Sequence, residues 1–228
     1  MRLKSFMQNI SEGLYDPGIF KAFFLAGGPG SGKSFVTSSA FSGTGLKLVN
    51  SDNKFERDLK KAGMSLKMPD DEEYFRNIIR THAKKFAVTQ LDQYIKGRLG
   101  LVIDSTGRDY DGIARNASML RQLGYDCYMV FVNSTLEVAL ARNARRERTI
   151  PEYITKSSWQ TVQSNMGRFQ NLFGQGNFLV VDNNRSDLEL TTVIMNRVRK
   201  EVNKYMRAPI SSYIAKRWMA GERKAKRR

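Results

Sequence analysis

Short apolar runs alternate along this chain with longer stretches in which apolar residues recur every three or four positions. Residues 19–26 (IFKAFFLA) are almost continuously apolar and predict a strand buried on both faces. A glycine-rich turn follows, then a helix over 33–41. Residues 46–49 (LKLV) predict a short second strand, and 53–62 a short helix closed by Gly63. The acids Asp70, Asp71, Glu72 and Glu73 precede Tyr74, Phe75, Ile78 and Ile79. Carboxylates are favoured where a helix presents its positive end, so a helix starts there and runs to about residue 96, closed by Gly97 and Gly100. Strands are predicted at 101–104 (LVID), 125–132 (YDCYMVFV) and 177–181 (NFLVV). The intervening helices cover 111–123, ended by Gly124; 135–146, increasingly basic; and about 151–173, opened by Pro151 and stopped by Gly174 and Gly176. An amphipathic helix over 187–206 comes last.

Strands alternating with helices predict a parallel sheet covered on both faces, a three-layer α/β/α domain of five strands. The domain is expected over residues 17–207, with an N-terminal extension at 1–16 and a basic C-terminal tail at 208–228. Right-handed crossovers place ligands at the carboxyl ends of such strands. Three candidate motifs fall at those ends.

The first is Gly27-Gly-Pro-Gly-Ser-Gly-Lys-Ser34, which matches G-x-x-x-x-G-K-[ST] and lies between a predicted strand and a predicted helix. This is a P-loop. Its glycines let backbone N–H groups converge on phosphates, and the helix start adds partial positive charge. Gly28, Pro29, Gly30, Ser31, Gly32, Lys33, Ser34 and Phe35 are therefore the candidate nucleotide-binding residues. Lys33 reaches the β and γ phosphates of ATP or GTP, and the Ser34 hydroxyl is offered to Mg²⁺.

Asp104, in Leu101-Val-Ile-Asp-Ser-Thr-Gly107, ends a strand and is the second candidate Mg²⁺ ligand, directly or through water, a reading favoured over a cap on the next turn. Asp52, in Leu48-Val-Asn-Ser-Asp-Asn53, could orient an acceptor hydroxyl and take its proton, or could cap the following helix. Arg142, Arg145, Arg146 and Arg148 crowd the segment Leu140-Ala-Arg-Asn-Ala-Arg-Arg-Glu-Arg-Thr-Ile-Pro151. Such a cluster either closes over a triphosphate as a lid or is a solvated basic helix end. Asn183 and Asn184 follow the last strand, where a loop borders a nucleotide base or simply turns. The segment 70–96 is placed to shape an acceptor site, and Met64, Leu66 and Met68 to pack against it.

Charge adds a partner class. The 228 residues include 38 Lys and Arg against 22 Asp and Glu, a formal net charge of +16. That balance points to polyanions, whether nucleic acid, nucleotides or an anionic surface, unless it serves solubility alone. Eleven of the basic residues fall between positions 199 and 228, opposed only by Glu201 and Glu222. The final stretch, 221–228, reads as a mobile basic arm. A single cysteine, Cys127, excludes an internal disulfide and a thiolate metal site, and the single His82 excludes a His-rich one. No apolar run reaches bilayer length and the first residues lack a signal-peptide core, so a soluble, cytoplasmic protein is expected.

The P-loop, Ser51-Asp52 after the second strand, Asp104-Ser-Thr-Gly107, and Phe131-Val-Asn-Ser-Thr-Leu-Glu-Val-Ala-Leu-Ala-Arg-Asn143 with its arginines resemble the polynucleotide 5′-kinase and zeta-toxin group of P-loop kinases. The resemblance covers residues 21–185 or so, and the small size and basic tail are phage-like. It implies a nucleoside-kinase-like P-loop NTPase fold with strand order 2-3-1-4-5 and a mobile, arginine-rich lid after strand four. It implies that Asp52 is the general base, and that Arg142 and one of Arg145, Arg146 or Arg148 contact phosphate. The catalytic set is then Lys33, Asp52, Arg142, Arg145 and Arg148, with Asn183 beside the nucleotide. The activity implied is ATP-dependent phosphorylation of the 5′-hydroxyl of DNA or RNA. The alternatives are a kinase of nucleotide sugars, as in zeta toxins, and a nucleotide-regulated nucleic-acid-binding NTPase without transfer.

Overall fold

A computed structural model describes residues 14–16, 18–184 and 188–226. The expectations for residues 1–13, for the helix start at 187, for Arg185 and for Arg227 and Arg228 lie outside them.

Five strands form one sheet: β1 (Lys21–Ala26), β2 (Lys47–Val49), β3 (Leu101–Asp104), β4 (Asp126–Asn133) and β5 (Phe178–Asp182). Their spatial order is β2-β3-β1-β4-β5, and every neighbouring pair is parallel. This is the strand order that the family resemblance implied. Central β1 is buried along its whole length, which is why its sequence is a continuous apolar run rather than an alternation.

Alternation survives in where the side chains go. Phe23 and Leu25 join one core with Val36 and Ala40 of α1 (Lys33–Phe41) and with Met195, Val198, Val202 and Met206 of α7 (Leu188–Arg207). Ala22, Phe24 and Ala26 face the other layer. There they meet Ile113, Ala117 and Leu120 of α4 (Tyr110–Gln122) and Val162, Phe169 and Phe173 of α6 (Glu152–Phe173). A smaller cluster ties α2 (Ser51–Lys61) to α3 (Glu73–Lys96) through Phe55, Leu59, Leu66 and Ala83, with Met64 and Met68 packed against it. The remaining helices are α5 (Leu136–Ala144) and α8 (Tyr213–Lys226).

The expectation of a mobile arm at the C-terminus is corrected over residues 221–226, which form the second half of α8. Charge dominates that stretch, but Ala215, Trp218, Met219 and Glu222 recur at helical spacing. Ala215 is buried against Gly124, and Trp218 packs edge-on against Phe20 at 5.4 Å between ring centroids. Helix α8 thus lies at the amino end of the sheet.

Cys127 is buried in the core, and burial pushes its thiol up to about 12, which fits a packing residue. No helix among the described residues is long and apolar enough to cross a membrane.

Candidate active site

The P-loop leaves the carboxyl end of β1, and its glycines are required by space as well as by conformation. Gly30 has φ +76°, and a Cβ there would lie 2.1 Å from the Ala139 carbonyl oxygen; Gly32 has φ +91° and abuts the Asn183 amide. Gly32 is also the residue before α1, and no side chain caps that helix. The first N–H groups of α1 therefore point into the cleft without side-chain partners, which is an anion site by construction.

Two clefts meet in front of this loop. One, of about 280 Å³, is lined by Gly28, Gly30, Gly32, Lys33, Ser34 and Phe35 of the loop, and by Arg142, Arg146 and Arg148 opposite. The other, of about 850 Å³, opens between α3, the β3–α4 loop and the start of α6, with Arg76, Arg80, Lys84, Arg108 and Tyr153 on its walls. Asp52, Asp104, Asn50 and Arg148 line both. The junction is where a group would pass from one occupant to the other.

Asn50 decides how the junction is built. It is the N-cap of α2, its side-chain oxygen accepting from the Asp52 N–H at 2.6 Å, while its amide donates to Asp104 Oδ2 at 2.7 Å. The capping role that spacing left open for Asp52 is thus filled by Asn50, and the Asp52 carboxylate is turned outward. There it accepts from Arg80 at 2.7 Å and lies 3.7 Å from Arg148. Burial disfavours its charge, but Arg148 and Arg80 outweigh burial and hold its carboxyl below the usual range. Both guanidinium groups sit over the Phe55 ring, which fixes their planes.

Asp104 behaves oppositely. Burial pushes its carboxyl up, Asp52 adds to the shift, and Lys33 opposes it. Its Oδ1 is buried with no hydrogen bond. A carboxylate oxygen in that condition fits a cation, and Ser34 stands on the same cleft with an exposed hydroxyl. Asp104 and Ser34 are the candidate Mg²⁺ contacts; among the described residues no group of three or more His, Cys, Asp or Glu is placed to hold a metal ion. Lys33 donates to the Gly27 carbonyl at 2.6 Å. Desolvation lowers its pKa, Asp104 and Asp52 oppose that, and Arg146 and Arg148 add to it. An ammonium so placed gains from a bound polyanion.

The lid arginines are sorted by a clamp. Asn143, buried at the end of α5, donates to the Ile150 carbonyl at 2.7 Å and accepts from the Ile150 N–H at 3.2 Å. This pins both ends of the segment 144–150. Arg142 faces the cleft and also donates to the Asn183 carbonyl at 2.7 Å. Arg146 and Arg148 face it as well, and Arg148 is only 7% exposed. Arg145, the C-cap of α5, is exposed and lines neither cleft. Asn183 is buried behind the loop, its amide donating to the Ser31 carbonyl at 2.7 Å, so it braces the P-loop and does not line the smaller cleft. Ser31 too is buried beneath the loop.

Three further residues of the site were not singled out along the chain. Asn50 looks like an ordinary turn residue; Arg80 lies in a helix whose pattern announces no ligand; Asn143 hides among the arginines. Only the last had a local signal, a polar residue on the inward face of an amphipathic helix.

Among known proteins, solved structures share this fold at low identity. A candidate kinase from Chloroflexus aurantiacus is 17% identical with a TM-score of 0.53, covering 79% of this chain and 98% of that one. The AvrRxo1-ORF1:ORF2 complex with ATP aligns at 13% identity and a TM-score of 0.53, covering 95% and 87%. The PezAT toxin–antitoxin system of Streptococcus pneumoniae aligns at 15% and 0.51, covering 89% and 96%. No curated protein matches this sequence. The family model described as an AAA domain matches residues 23–169, from β1 through most of α6, and so takes in the P-loop, Asp52, Asp104 and the lid. With more than half of its length matched and a P-loop NTPase sheet to carry it, the chain belongs to the AAA domain family.

Proposed function

We propose that this protein is an ATP-dependent phosphotransferase that phosphorylates a hydroxyl, and that its acceptor is the 5′-hydroxyl of DNA or RNA. The observation that carries the reading is the junction: Asp52, an ionised carboxylate freed from capping, stands between a P-loop cleft and a larger second cleft. A binding switch has no need of a carboxylate aimed at a second substrate.

In this reading the γ-phosphate lies against Lys33 and the first N–H groups of α1, with Arg142, Arg146 and Arg148 closing from the lid. Ser34 and Asp104 would hold Mg²⁺, which neutralises charge on the β and γ phosphates when bound. Asp52 orients the acceptor hydroxyl in line and accepts its proton as the new O–P bond forms and the bond from the γ-phosphorus to the β–γ bridging oxygen breaks, with ADP as the leaving group. Its low pKa makes it a weak base, so orientation is the larger part of its work. Arg80 keeps it ionised. Nucleic acid as acceptor is supported by the basic stripe Arg76, Arg80 and Lys84, spaced by four on α3 along the second cleft, and by Arg108 on its opposite wall.

A nucleotide sugar is the second reading. Asp70 and Glu73 also line that cleft, and carboxylates suit sugar hydroxyls better than they suit a phosphodiester. Incubation with γ-labelled ATP and Mg²⁺ against 5′-hydroxyl oligonucleotides, 5′-phosphorylated controls and nucleotide sugars separates them. Label on 5′-hydroxyl ends alone is expected. Label on the sugar nucleotide alone would replace the acceptor, and free phosphate alone would remove the transferase reading.

A further inference from the structure

The cations of α8 are displayed far from the clefts. Helix α8 packs where β1 and β4 begin: Trp218 on Phe20, Ala215 on Gly124, and the Ser211 N–H donating to Asp126 Oδ2 at 3.2 Å. The P-loop and Asp52 stand at the other ends of the parallel strands. Six residues of β1 separate the two, about 20 Å of strand.

The helix has two faces. Ala215, Trp218 and Met219 turn inward, packed with the core. Lys216, Arg217, Arg223 and Lys224 are exposed, beside Tyr213 at 74% exposure. The acids nearby are committed: Asp126 to Lys21 at 2.8 Å and to Ser211, and Asp16 to the Gly18 N–H at 2.7 Å, while Glu222 is half-buried. Arg98, above Phe20 at 5.9 Å from its ring, adds a cation at the same end.

Which partner this face fits follows from what it lacks. A basic amphipathic helix lies in a lipid surface, or in a partner's groove, by burying its apolar side. Here most of that side, Ala215, Trp218 and Met219, is already packed on the core, which leaves Ile214 exposed beside Tyr213. What remains is chiefly a row of cations with an aromatic ring, the composition that binds a phosphodiester backbone without reading sequence. We propose that α8 is a nucleic-acid docking surface, remote from the clefts, that grips backbone phosphates through Lys216, Arg217, Arg223 and Lys224. This does not depend on phosphoryl transfer: a chain that failed to transfer phosphate would still bind here.

The test is binding of a fluorescent single-stranded oligonucleotide between 50 and 200 mM salt by the full chain and by the fourfold variant Lys216→Glu, Arg217→Glu, Arg223→Glu, Lys224→Glu. At roughly 0.7 in salt slope per phosphate neutralised, the variant loses about 3 from the slope and binds at least about tenfold more weakly at low salt. It keeps the affinity of the wild type for a fluorescent ATP analogue. A control reversing four exposed cations elsewhere, Lys47, Lys85, Arg115 and Lys156, matches the charge change and is expected to lose much less. Should the Glu variant unfold by circular dichroism, the four Gln substitutions replace it. Equal losses in variant and control, or no loss, would overturn the proposal. So would binding to vesicles containing phosphatidylserine, but not to the oligonucleotide, that disappears in the variant.

Discussion

Lys33, Asp52 and Asp104 share one junction, and each carries charge against its surroundings in a different way. The Asp52 carboxyl is held low, by arginines that outweigh burial, so its contribution to stability is present above the ordinary carboxylate range and is lost as pH falls through the lowered value. Asp104 has the opposite sign. Its carboxyl is raised by burial, so stability declines as pH rises from the ordinary value through the raised one. Asp104→Asn removes that penalty while keeping an oxygen for Asn50 to donate to. The variant should melt higher than wild type at pH 7, with the gain shrinking toward pH 4. It should also need more Mg²⁺ for transfer. Thermal melts across pH check the first part; a melting temperature unchanged at pH 7 would contradict it. Lys33 is desolvated with no carboxylate in hydrogen-bond contact. Lys33→Ala should leave the fold intact by circular dichroism and lower transfer by about 10²–10³, the usual loss when an electrostatic stabiliser of the transition state is removed.

At the scale of elements, the strand–loop–helix unit at residues 21–41 was fully legible, because a P-loop is a local object: its strand, turn and helix start are contiguous. So were the five strands, whose apolar runs reflect burial on both faces. The rest of the site is made by contacts between distant segments. Arg80 reaches Asp52 from α3, Asn50 of one strand end holds Asp104 of another, and Asn183 braces Ser31 across 152 positions. No spacing rule encodes those pairs. Helix α8 was misread for a different reason: eight residues dense in charge masked the four-residue rhythm of its inner face. The Asn143 clamp offers a test at this scale. Asn143→Ala removes both bonds to Ile150 and leaves buried backbone groups unpaired, at about 1–3 kcal/mol. With Arg146 and Arg148 no longer held, kcat should fall about tenfold or more, with nucleotide affinity changed less. Equal kcat in the variant would mean that the lid arginines do not need the clamp.

Across the whole molecule, two concentrations of positive charge stand at opposite ends of one sheet: arginines around the clefts at the carboxyl ends, and α8 at the amino end. The two tryptophans report on these ends separately. Trp159 lies beside the P-loop, its Cα 3.6 Å from where a Cβ on Gly28 would stand, and its indole N–H donates to the Ser134 carbonyl at 2.7 Å. Trp218 is the inward anchor of α8. In Trp218→Phe, the remaining fluorescence should respond to ATP and stay silent to oligonucleotides bound at α8. Trp218→Ala should cost about 2 kcal/mol, less than the 3–5 of a fully buried aromatic, because the ring is only half-buried. On the proposed reading, nucleic acid is held at one end and modified at the other. The most direct test is transfer of label from γ-labelled ATP to a 5′-hydroxyl oligonucleotide by wild type and Asp52→Asn, with ATP affinity measured on both. Labelling by the wild type, a loss of about 10²–10⁴ in the variant and ATP affinity within about threefold are the results expected of a carboxylate that orients and deprotonates the acceptor. Equal labelling by both, or no label on the hydroxyl end from the wild type, would contradict it.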